Sequence, residues 1–82
     1  MTKESIMENW QKYISIDPEI RSGKPCVTGT RITVSDVLSY LASGMSIEEI
    51  IEDFPSLDKE KIMAILSFAA YRDSMTKISV AS

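Results

Sequence analysis

Gly23-Lys24-Pro25-Cys26-Val27-Thr28-Gly29-Thr30-Arg31-Ile32-Thr33-Val34 sets two glycines, a proline and an arginine around a short apolar run, directly ahead of three helix-like segments. Gly29 offers the positive φ that a tight turn requires, and Val27 and Ile32 flank Thr28 to Arg31 as short extended pieces, so a hairpin is predicted. Upstream, Ile14 and Ile16 alternate with Ser15 and Asp17, which is strand periodicity, and Pro18 ends it. Asp17-Pro18-Glu19-Ile20 reads as a turn. The expected product is a small sheet of two or three strands, marginal alone and in need of helices or a second chain to cover it.

Downstream the period changes. Val34, Val37, Leu38 and Leu41 fall at helical spacing, with Thr33 as N-cap, Asp36 in the first turn and a stop at Gly44. A second helix starts at Ser46, which forms a capping box with Glu49. It carries Ile47, Ile50, Ile51 and Phe54 on one face and ends at Pro55. Asp58 is the expected N-cap of a third helix, with Ile62, Ile65, Leu66 and Ala69 as its apolar stripe and an end near Arg72 or Ser74. Leu57 is the buried residue of the turn between the last two helices. The fold class is therefore mainly α: a tri-helical helix-turn-helix (homeodomain-like) bundle with a short N-terminal β-hairpin or small sheet. Residues 1–13 read as a lead-in, 14–74 as the domain and 75–82 as a tail or added strand.

Eighty-two residues favour one domain with a thin core, which makes a homodimer the default expectation. No apolar run is long enough to span a membrane, and the first residues lack the apolar centre of a secretory signal, so a cytoplasmic location is expected. The net charge of −3 is unevenly placed. From Ile32 to Asp58 there are six acidic residues and no basic one, and any approach to a phosphate backbone must keep that segment turned away.

With histidine absent and Cys26 the lone cysteine, no catalytic, cofactor-binding or metal-binding set is visible. Cys26 reads as a buried small hydrophobe. Gly23 to Gly29 lacks the ending of a phosphate-binding loop. Trp10, Tyr13, Tyr40, Phe54, Phe68 and Tyr71 read as core or dimer-interface residues.

Ile16-Asp17-Pro18, Gly23-Lys24-Pro25 followed by Gly29-Thr30-Arg31-Ile32 and Val34, and Ile47-Glu48-Glu49-Ile50 with Asp53-Phe54-Pro55 and Leu57 together resemble domain-of-unknown-function family 433 (DUF433), over roughly Ile14 to Arg72. Cys26 departs from the branched aliphatic residue expected there, and Asp58 from threonine. The resemblance implies an antitoxin-like helix-turn-helix protein, with a PIN-like ribonuclease toxin as partner and operator DNA as a further candidate ligand.

Two surfaces compete for that role. Lys59 and Lys61 open the third helix, the candidate recognition helix, and with Lys24 and Arg31 they form the candidate DNA-binding set. Glu60 and the scarcity of base-reading donors on this helix weaken the assignment. For Arg31 the favoured reading is structural, an ion pair to Asp17 or Asp36 that ties the hairpin to the first helix. Glu48, Glu49 and Glu52 lie opposite the apolar stripe of the second helix. A solvated face is the plain reading, and docking onto a cationic protein partner is the functional one. A protein-interaction or structural module that does not touch nucleic acid is thus the alternative to the antitoxin-like repressor.

Overall fold

The structure, a computed structural model, describes residues 10–75. Residues 1–9 of the expected lead-in and residues 76–82 of the expected tail lie outside that range. Strands β1 (Ile14–Ser15) and β2 (Cys26–Val27) pair antiparallel, with Ile14 opposite Val27 and Ser15 opposite Cys26. The helices are α1 (Val34–Ala42), α2 (Ile47–Asp53) and α3 (Lys59–Met75).

The opening motif folds as a turn welded to a helix. The Thr30 N–H donates to the Val27 carbonyl at 3.0 Å, with Gly29 at φ +81° in the third position, where a type II turn demands a positive φ. Thr30 Oγ1 donates to the same carbonyl at 2.8 Å and accepts from the Ile32 N–H at 3.0 Å. The Val27 N–H then donates to the Ile32 carbonyl, and Cys26 bridges Thr33 in antiparallel fashion. The expected third strand is reduced to that single bridge, because Thr33 must leave the sheet to cap α1.

The helix ends are satisfied locally. At α1 the Asp36 N–H donates to Thr33 Oγ1 at 2.9 Å and the Thr33 N–H returns to Asp36 Oδ2 at 3.3 Å. At α2 Ser46 and Glu49 make the same reciprocal pair, and at α3 Asp58 Oδ1 accepts from the Lys61 N–H at 2.8 Å. Each such cap contributes about 1 kcal/mol. Gly44, at φ +104°, ends α1 with its N–H on Leu41 and the following Met45 N–H on Tyr40, a Schellman closure.

The core lies between the helices and the sheet. Val37, Ile50, Ile62 and Ile65 are fully enclosed, joined by Ile14 and Val27 from the sheet, Leu57 from the turn and Phe68 from α3. Stacked Tyr40 and Phe54, 5.3 Å apart, bind α1 to α2. Trp10 meets Phe68 edge-on at 4.7 Å. Because α3 has α1 and α2 on one side and the Trp10 turn and β1 on the other, its buried arc is wider than a single stripe.

Two expectations change. Leu66, assigned to the apolar stripe of α3, is 36% exposed, while Ala64, Ser67 and Phe68 are buried. Two-sided coverage of the helix rotates the buried arc away from Leu66. Ile16, read as continuing the strand of Ile14, is 62% exposed, because pairing ends at Ser15 and the chain turns out at Asp17, whose Oδ1 accepts from the Glu19 N–H.

Candidate functional site

The residues singled out from the sequence occupy separate surfaces. Lys24 projects from the connection between β1 and β2, Arg31 from that between β2 and α1, Lys59 and Lys61 open α3, and the acidic residues line α2. Lys24, Arg31 and Lys59 are exposed, whereas Lys61 is half-buried with its Nζ donating to the Ser56 carbonyl at 3.0 Å. That bond fastens the turn between α2 and α3 and makes Lys61 a structural cation.

Arg31 does not form the expected ion pair. The link between the loop and α1 comes from Arg21, whose Nη1 reaches Asp36 Oδ2 at 3.3 Å and donates to the Arg31 carbonyl at 2.9 Å. Arg21 and Ser22 hold positive φ values of 49° and 59°, followed by Gly23 at 81°. Left-handed backbone costs a non-glycine residue about 1–2 kcal/mol, and here it aims the guanidinium at the start of α1. Nothing in the side-chain pattern around Arg21 marks that conformation.

Asp36 is thereby a hub. Partial burial pushes its carboxyl up, but hydrogen bonds from Thr33 and the charge and hydrogen bond of Arg21 outweigh that effect and hold it below the ordinary carboxylate value. At the start of α3 the Tyr13 hydroxyl donates to Glu60 Oε2 at 3.0 Å. That hydrogen bond, with the Glu60 charge, raises the Tyr13 phenol. Glu60 is thus engaged with the N-terminal layer, a pairing between residues 47 positions apart that no sequence period reveals.

On α2, Glu48 and Glu52 are exposed one helical turn apart with Asp53 beside them, and Glu49 is exposed but holds the Ser46 N–H at 2.8 Å through Oε1. No group of acidic, histidine or cysteine side chains among the described residues is arranged to hold a metal ion. Cys26 is buried, its Sγ donating to the Lys24 carbonyl at 3.3 Å. No described helix is long and apolar enough to cross a membrane. The α3 surface that faces solvent presents Met63, Leu66 and Ala70 between Lys59 and Asp73, so it offers one cation near the start and an apolar middle. Sequence periodicity hides this stripe because it assigns Leu66 to the core.

Comparison with known proteins places the fold. A crystal structure of a DUF433 member protein from Anabaena variabilis superposes with a TM-score of 0.74 over 92% of this chain and 80% of its own, at 21% identity. The uncharacterized protein y4eO of Sinorhizobium fredii is 44% identical over 52 residues, 63% of this chain, and the match spans 24% of that protein's length. The family model described as "Protein of unknown function (DUF433)" matches residues 14–69, from the first residue of β1 into the second half of α3. The chain belongs to the DUF433 family.

Proposed function

We propose that this chain is a non-enzymatic, antitoxin-like protein-binding module whose acidic α2 face docks onto a cationic protein, a PIN-like ribonuclease being the partner that the family reading suggests. The observation that carries this reading is the exposure of Glu48, Glu52 and Asp53 in a segment from Ile32 to Asp58 that has no basic residue. A ribonuclease binds polyanions through a cationic groove, and an acidic helix complements such a groove. Co-expression with a PIN-like ribonuclease encoded beside its gene is the test. The expected result is a stable complex with inhibited ribonuclease activity, weakened at least about tenfold by E48K/E52K, in line with strong electrostatic steering at low salt. A complex indifferent to that reversal sinks the assignment of the acidic face.

Operator binding through Lys24, Arg31, Lys59 and Lys61 is the second reading, supported by the exposure of the first three. It is the weaker one, since Lys61 is tied to Ser56 and the middle of α3 offers apolar side chains in place of base-reading donors. A salt titration on the DNA upstream of its gene decides it. Absence of binding even at low ionic strength removes this reading.

A further inference from the structure

The solvent-facing stripe of α3 has the properties of a self-complementary surface. Lys59, Leu66 and Asp73 are spaced seven residues apart and share one stripe, with Met63 and Ala70, also seven apart, beside it. All five side chains face solvent, with Met63 at 43% and Leu66 at 36% exposure. This is the two-position heptad seam of a packed helix pair, on a helix whose opposite side already faces the core. Its charges are ordered by sign: the cation opens the helix and the anion lies near its end, equally far from Leu66. Neither Lys59 nor Asp73 forms an ion pair with a described residue.

We propose that a second copy of this chain packs antiparallel on this stripe, with the twofold axis at Leu66. That register sets Leu66 against its symmetry mate and Lys59 against Asp73 of the second copy, twice over. A parallel pairing instead sets lysine against lysine and aspartate against aspartate. Ala70, small and exposed, lets the helices approach to the roughly 8–10 Å of close packing. The stripe is about 21 Å long at 1.5 Å per residue. One helix of that length covers less surface than the roughly 800 Å² per partner of a stable complex, so the dimer is reversible and concentration-dependent. The proposal is independent of the docking role of α2, which lies on another helix.

Sedimentation of the full chain from about 10 μM to 1 mM, the range in which a small interface dissociates, should show a monomer–dimer equilibrium. K59E and D73K singly replace both attractions with repulsions and should each weaken dimerisation by about tenfold at low salt. The double variant K59E/D73K should restore it. Each substitution puts the favourable sign at its end of α3, so a lost dimer is not a lost fold. As a geometric check, L66C should cross-link to its symmetry mate under oxidation, and S39C, at an exposed position of α1, should not. Three results overturn the proposal: a chain monomeric throughout, a dimer unaffected by either single swap, or a double variant no tighter than the singles.

Discussion

Replacing Asp36 with asparagine keeps the shape of the first turn of α1 and removes one charge. Three consequences follow from the structure. The N-terminal end of α1 loses its acidic side chain, worth about 0.3–1 kcal/mol against the helix dipole. The Arg21 pair loses its anion; with the two side chains 35% and 33% exposed, solvent screening keeps that contribution at the lower part of about 0.2–1 kcal/mol. The amide oxygen still accepts from the Thr33 N–H, so the capping hydrogen bond survives in weakened form. The sum is about 1 kcal/mol at neutral pH, or roughly 4–8 °C in Tm for a domain of this size. The pH dependence is the sharper test. Because the folded carboxyl titrates below its ordinary value, its stabilisation is complete above the unfolded pKa of about 3.9 and is lost as pH falls through the folded one. Urea unfolding of the wild type and D36N should therefore differ at pH 7 and converge at acid pH, once the pH lies below the lowered folded pKa of Asp36. In a cycle with Arg21→Met the coupling should follow the same course. Equal destabilisation by D36N at both pH values would refute the electrostatic account and leave only a steric one.

Other perturbations probe separate links. Gly29→Ala meets no atom within 4 Å yet must hold φ +81°, so it should lose about 1 kcal/mol in urea unfolding from backbone strain alone. Ser22→Gly relieves left-handed strain at φ 59° and should be neutral or stabilising by up to about 1 kcal/mol, the opposite of the usual effect of glycine. Ile50→Ala, at a fully enclosed position, should cost about 2–5 kcal/mol and leave little of the stability of so small a domain. Glu60→Gln should return the Tyr13 phenol toward its ordinary pKa in an ultraviolet titration, and an unchanged titration would remove the Tyr13–Glu60 bond from the solution structure.

What the sequence discloses here is local. Thr33 with Asp36, Ser46 with Glu49, Asp58, Gly29 and Gly44 each act within five residues of themselves, and each stands where residue type alone places it. What it hides is non-local. Arg21 takes its role from a left-handed backbone and from Asp36, fifteen residues on. The buried arc of α3 depends on how many neighbours cover it, which no period encodes. The pattern Ile62, Ile65, Leu66, Ala69 is a good helical stripe, but adding Trp10 and β1 on the far side recruits Ala64, Ser67 and Phe68 and frees Leu66.

That displacement of Leu66 bears on function more than any single charge does. A helix that reads DNA must present donors to base edges in its first turns and cations to phosphates around them. In α3 Lys61 is fastened to the preceding turn, Glu60 holds Tyr13, and the next outward positions are Met63, Leu66 and Ala70. Apolar side chains in a groove contribute little where thymine methyl groups are absent, whereas against another helix they supply the main stabilisation of contact. The same helix cannot lie in a major groove and against a symmetry mate along one face. If self-pairing occupies α3, the outward charge outside that helix is the acidic α2 with Glu19 and Asp58, against Lys12, Lys24 and Arg31, and a cationic protein surface fits that acidic excess better than a phosphate backbone does.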